Sequence, residues 1–175
     1  MSDAHPLVEA RGVSRILQEA VPVTLVKNID LTVGQGEFVS VTGPSGSGKS
    51  SLLYLLGLLD VPTTGQVFID GLETSGLSAD RLAAIRLRKI GFVFQFHFLL
   101  PEFTVLQNVM LPMQKLGKLS DAGMKERGHA FLAHLETAAQ ANNTADPLSA
   151  GQPHRPLTPR CRVVGPRPYS FTPPH

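Results

Sequence analysis

The chain has 175 residues, 42% of them hydrophobic and 17% charged, enough apolar matter for one compact domain with its own core. A formal net charge of +2 without any sustained lysine or arginine run excludes the footprint of a nucleic-acid-binding protein. The lone cysteine, Cys161, excludes an intrachain disulfide and a Cys/His metal cluster, and the longest apolar run, residues 52–59, is far below the roughly 18 residues of a membrane span, so the expectation is a soluble cytoplasmic chain, at most peripheral to a membrane.

In chain order, strand-like runs at 25–33, 37–42 and 66–69 are separated by turn signals at Gly34-Gln35-Gly36 and at 62–65, and they predict one β-rich layer. The apolar stretch 47–59 with its serine-rich start predicts a helix. So does 79–88, where Leu82, Ile85 and Leu87 fall toward one side. From Phe92 to Phe98 the residues alternate, with Phe92, Phe94, Phe96 and Phe98 on one face and Val93, Gln95 and His97 on the other, as in a strand running into a loop. Val105, Val109, Met113 and Leu116 then recur at helical spacing, with a kink expected at Pro112, and Met124, Phe131, Leu132 and Leu135 mark a second helical stripe. Eight of the 14 prolines lie between Pro147 and Pro174, and no Asp, Glu or Lys follows Asp146, so the composition changes character there.

The chemistry is concentrated in Gly43-Pro44-Ser45-Gly46-Ser47-Gly48-Lys49-Ser50, which fits the P-loop pattern and has an apolar run before it and a helical one after it. Glycines let the backbone curl so that successive N–H groups point inward, and the following helix adds its positive end, which together bind polyphosphate. Lys49 reaches the β and γ phosphates, the Ser50 hydroxyl stands where Mg²⁺ must sit, and Ser51 extends the same first turn.

Three segments together resemble an ABC transporter ATPase, most closely the type that powers lipoprotein release and macrolide export. They are the P-loop; the run Ile90-Gly91-Phe92-Val93-Phe94-Gln95-Phe96-His97-Phe98-Leu99-Leu100-Pro101-Glu102-Phe103-Thr104, similar to that subfamily's Q-loop; and Leu148-Ser149-Ala150-Gly151-Gln152, a variant of the family signature. The resemblance implies an α/β P-loop NTPase fold with an N-terminal antiparallel β layer, a partial RecA-like core and a helical subdomain over about 103–152, within an incomplete nucleotide-binding domain spanning 1–152. It implies MgATP as ligand, with Gln95 contacting Mg²⁺ and the attacking water. Taken from the residues alone, Gln95 also fits a polar position on a buried strand, and His97 fits a packed histidine. Phe96, Phe98, Leu99 and Leu100 fit either a docking surface for a membrane subunit or ordinary core.

The resemblance further implies a head-to-tail pair of ATP-binding subunits, in which Ser149 of one subunit donates to the γ-phosphate held by the other and the Ala150 and Gly151 amides add to the anion site. The pair would serve a transmembrane permease subunit at the cytoplasmic face of the membrane, with no nucleic-acid partner. A P-loop kinase or GTPase is disfavoured, because no NKxD or DxxG element occurs.

Two departures from the family stand out. Beyond Gln152 the family continues with a helix, the Walker B aspartate, a catalytic glutamate and a switch histidine. Here a proline-rich stretch, 153–175, follows and is expected to be disordered. Pro156 and Pro159 would each cost a helix about 3 kcal/mol, so little or no ATP hydrolysis is expected of the chain, which lacks catalytic residues of its own; the resemblance implies an ATP-binding, energy-coupling subunit of an exporter or lipoprotein-release system, and the alternative is a non-catalytic, truncated nucleotide-binding fragment without a transport function. Read one nucleotide further on, 153–158 can encode Arg-Ile-Ala-Leu-Ser-Arg, close to the family's run after its signature. The second departure is the stretch Arg15-Ile16-Leu17-Gln18, which lacks the aromatic residue that the family stacks on adenine and leaves Leu17 to cover the base by apolar contact.

Overall fold

The computed structural model describes residues 5–93 and 99–144 and the backbone of 169–171. The described residues fall into two compact units that divide between Arg86 and Leu87.

The first unit is built on a four-stranded antiparallel sheet of order β2-β1-β3-β4, from β1 (Val8–Leu17), β2 (Val23–Val33), β3 (Thr64–Ile69) and β4 (Leu72–Glu73). One face is apolar, with Val8, Ala10 and Val13 of β1 and Val67 and Ile69 of β3 buried. The shift from even to odd positions in β1 coincides with a register break between Ala10 and Val13, since an extra residue in one strand turns the following side chains over. On the solvated side the Arg11 guanidinium lies 4.5 Å from the Phe68 ring centre, and its hydrogen bond to Glu9 and that carboxylate's charge push its pKa further up. A tight hairpin joins β3 to β4 through Asp70 and Gly71, both at positive φ (53° and 74°), the backbone twist that two-residue hairpins favour.

Helix α1 (Lys49–Leu56) buries Leu53, Leu55 and Leu56 and contacts β1 and β2. It is shorter than the predicted 47–59, ending at Gly57 with Leu58 in the left-handed region at φ 59°. The predicted strand at 37–42 forms no ladder with another described strand, and the single β layer expected from 25–33, 37–42 and 66–69 is replaced by a sheet in which β1 separates β2 from β3. Phe38 is 94% exposed, and the Glu37 N–H bonds only locally, to the Gly34 carbonyl at 3.4 Å. A strand of this kind owes its regularity to neighbours on either side; apolar patterning without a ladder does not make one.

Helix α2 (Ala79–Lys89) buries Leu82 and half-buries Ile85 and Leu87, and β5 (Ile90–Phe92) pairs in parallel with β6 (Tyr169–Phe171). In the second unit α3 (Val105–Leu116) packs on α4 (Asp121–His134). The predicted stripes supply much of its core, with Val105, Val109, Met113, Met124 and Leu132 buried; Leu106, Met110 and Ala141 join them and Phe131 packs alongside. Gly128 is also buried, a position that an apolar stripe does not mark. Helix α3 runs without interruption through Pro112.

One polar residue organises the approach to α3. Asn108 is fully buried; its Nδ2 donates to the carbonyls of Leu100 (3.0 Å), Thr104 (3.1 Å) and Phe103 (3.3 Å), and its Oδ1 accepts from the Leu100 N–H at 2.8 Å. Truncation strands these main-chain groups, so Asn108→Ala is expected to lower unfolding stability by about 1–3 kcal/mol. Urea denaturation followed by circular dichroism checks this, and a loss below about 0.5 kcal/mol, the range of ordinary surface changes, would contradict it.

Candidate functional site

The P-loop lies between the unpaired 37–42 segment and α1, and glycine geometry shapes it. Gly43, Gly46 and Gly48 have φ of 150°, 79° and 86°. At Gly48 the need for glycine is twofold, because the residue is left-handed and a Cβ there would come within 2.2 Å of the Leu25 carbonyl oxygen of β2. The loop backbone therefore touches the strand backbone directly. Within the loop the Ser47 N–H bonds the Pro44 carbonyl at 3.3 Å.

Gly48 is the N-cap of α1 and provides no side-chain cap. At α3 and α4, by contrast, the Thr104 and Ser120 hydroxyls accept from the first turn, and at α3 the Gln107 side chain completes a capping box. The first-turn amides of a helix have no acceptor within it. Among the described residues no side chain accepts from those of Lys49, Ser50 and Ser51, and the helix dipole makes this end the positive one. The Lys49 ammonium donates to the carbonyls of Gly43 (2.9 Å) and Pro44 (2.7 Å). No ion pair to Lys49 occurs among the described residues.

These groups border a cavity of about 440 Å³, lined by Ser45, Gly46, Gly48, Lys49, Ser50 and Ser51 together with Val23, Thr24 and Leu25. Six of the predicted phosphate-binding residues thus line one cavity, while the Gly43 and Pro44 carbonyls accept from Lys49 and the Ser47 N–H donates to Pro44. Main-chain donors, a helix N-terminus and one ammonium around an open cavity form a receptor for a polyanion.

Other predicted residues lie elsewhere. Gln95, Phe96, His97 and Phe98 fall outside the described residues, as do Leu148, Ser149, Ala150, Gly151 and Gln152. Leu99 is half-buried and Leu100 is 40% exposed. Arg15, in the stretch without an aromatic, donates through Nε to Asp60 at 2.7 Å, and Leu17 stands opposite Val23 in the β1–β2 ladder. Sequence reasoning missed the contribution of Val23, Thr24 and Leu25, which reaches the loop only through tertiary contact. It missed Asn108 too, although the Thr104–Gln107 spacing of a capping box precedes it. Among the described residues no cluster of potential metal-ligating side chains occurs and no helix is long and apolar enough to cross a membrane.

The ABC transporter domain family matches residues 26–166, a span that extends beyond Gln152. The lipoprotein-releasing system ATP-binding protein LolD of Anaeromyxobacter dehalogenans is 46% identical over 94% of this chain and 69% of its own length. LolD of Aquifex aeolicus is 49% identical over 75% of this chain and 58% of its own. The chain therefore spans only part of the curated relatives it matches. Among solved structures, the dimeric ATP-binding cassette MJ0796 bound to ADP and Pi aligns with a TM-score of 0.73 at 39% identity, covering 79% of this chain and 61% of the other. A second dimeric structure of MJ0796 aligns at 0.80 with 38% identity, covering 89% of this chain and 69% of the other. A P-loop at the mouth of a cavity, an antiparallel sheet beside it, and agreement in both sequence and structure lead to one conclusion: this chain belongs to the ABC transporter family.

Proposed function

We propose that the chain is the ATP-binding, energy-coupling part of an ABC transporter of the lipoprotein-releasing type. The observation that carries this is the uncapped N-terminus of α1, which opens with Lys49 onto a cavity of about 440 Å³. The family match, relatives named for lipoprotein release and a structural neighbour bound to ADP and Pi support the reading.

In this reading the amides of Gly46, Gly48, Lys49, Ser50 and Ser51 hold the phosphates, and the Lys49 ammonium exchanges its two loop carbonyls for β and γ oxygens. Mg²⁺ takes few protein oxygens and keeps most of its water. The exposed Ser50, at the start of α1 and on the cavity wall, fits one such place, with Gln95 as the second contact. When bound, the ion would supply charge neutralisation for the β- and γ-phosphates. Leu148, Ser149, Ala150, Gly151 and Gln152 act in trans on a second, head-to-tail ATP-binding subunit, as the dimeric neighbours lead one to expect. Helices α3 and α4 belong to a helical subdomain over about 103–152, and the pair engages a transmembrane permease at the cytoplasmic face of the membrane.

Binding of MgATP by the 175-residue polypeptide is checked by calorimetric titration, and a flat titration of the folded chain would overturn the reading.

Two substitutions test the phosphate site. Lys49→Ala removes a charge-assisted donor of about 1.5–3 kcal/mol and is expected to weaken MgATP binding roughly 10–100-fold without loss of helix signal. An unchanged Kd would refute the assignment. Gly48→Ala must move the loop off the Leu25 carbonyl and also holds a strained φ, so it is expected both to abolish measurable MgATP binding and to destabilise the first unit by about 1–3 kcal/mol. Thermal unfolding followed by titration reads the two effects separately.

A further inference from the structure

We infer that Arg86 is a positioning residue for the phosphate site: it holds the far end of α1 and so couples occupancy of the P-loop to α2. The inference rests on the phosphate-binding reading above and deepens it.

Helix α1 presents one end to the cavity and is held at the other. Its last turn carries no basic residue to complement the negative end of its dipole. The chain leaves the helix in a tight turn, with the N–H groups of Gly57, Leu58 and Leu59 returning to the carbonyls of Leu53, Leu55 and Tyr54 at 2.8, 3.0 and 2.8 Å. Leu58 is only 4% exposed and has a φ of 59°. A bulky side chain in the left-handed region is strained, and it stays there only where the surroundings fix it.

Two arginines from different elements do the fixing. Arg86 of α2 donates through Nη1 to the Leu58 carbonyl in a partly buried contact, which brings the missing cation to the negative end of α1. On the other flank Arg15 of β1 donates to Asp60 at 2.7 Å, and the second Asp60 oxygen accepts from the Val61 N–H at 2.8 Å. The Thr63 hydroxyl accepts from the Ile16 N–H at 3.0 Å and donates to the Ile16 carbonyl at 3.2 Å. The sheet therefore fixes one side of the turn, and Arg86 fastens the turn to α2. Leu55, Leu58 and Leu82 of α2 line a cavity of about 270 Å³, a looser junction than a close-packed interior. The directional contact at Leu58 consequently carries more of the registration between the two helices. Phosphate drawn to the first-turn amides pulls α1 along its axis, and the Leu58 carbonyl is where that pull reaches α2. A contact that sets α1 for phosphate is strengthened by phosphate in equal measure.

The test is amide hydrogen exchange of the whole 175-residue chain with and without MgATP, beside calorimetric titration. In the unaltered chain MgATP is expected to slow exchange in α1 and, by about fivefold, in α2. Arg86→Met keeps the apolar stem and the helix-forming tendency but removes the donor. It is expected to weaken MgATP binding by the same factor, about fivefold, and to abolish the slowing in α2 while that in α1 remains. Arg86→Lys returns a cationic donor and is expected to restore both effects, and Arg88→Met, at an exposed position of the same helix, is expected to change neither. If Arg86 served stability alone, Arg86→Met would lower the unfolding temperature and leave the α2 response intact, which would overturn the inference. Slowing confined to α1 in the unaltered chain would overturn it as well. In both cases MgATP binding leaves the phosphate site standing, whereas a folded chain that binds no MgATP overturns both readings.

Discussion

The contact of Gly48 with the Leu25 carbonyl joins a motif that is local in sequence to a strand that is not. Without a Cβ at Gly48 the loop backbone lies directly on β2, and a methyl group would reach within 2.2 Å of the carbonyl oxygen. The aim of the helix N-terminus depends on this contact and on the core beneath it. Leu53, Leu55 and Leu56 of α1 are buried in the same unit as Val8, Ala10, Val13, Val67 and Ile69 of the sheet. At about 1.5–3 kcal/mol for each fully buried large aliphatic side chain, that burial outweighs the cost of leaving three amides at the start of α1 without a side-chain cap. The sheet thus makes an energetically incomplete helix end tolerable, and the incomplete end is what gives the loop its chemistry.

The other helix starts show the contrast. At α3 the Val105 and Leu106 amides donate to the carbonyls of Asn143 and Ala141, both at 2.9 Å, the Gln107 amide donates to the Thr104 hydroxyl, and the Gln107 side chain reaches back to the Thr104 N–H. At α4 the Ser120 hydroxyl accepts from Gly123. Every helix begins with the same orphan donors; at α3 the chain itself answers those of Val105, Leu106 and Gln107, and at α4 that of Gly123. Asn108 extends the arrangement by taking the carbonyls of the preceding turn, and an isolated bridge joins Thr104 to Thr144. The segment 99–104, which continues the Q-loop-like run, and the segment 141–144, which leads toward the signature-like run, are consequently tied to one helix end.

The P-loop was legible in the sequence because its donors are neighbouring main-chain groups and its glycines answer local backbone needs. The stripes of α3 and α4 were legible for a similar reason, since helical burial repeats at a fixed spacing: Val105, Val109, Met113, Met124 and Leu132 are all buried. β1 was not read, because the register break after Ala10 moves the buried position to Val13 and destroys the alternation on which strand recognition relies. Residues 37–42 misled in the opposite sense, having the apolar pattern of a strand but no ladder to a described neighbour. Gly128 and Asn108 escaped notice because a buried glycine and a buried amide carry no periodic signal. The Q-loop and signature assignments, at Gln95 and at 148–152, fall outside the described residues and rest on resemblance.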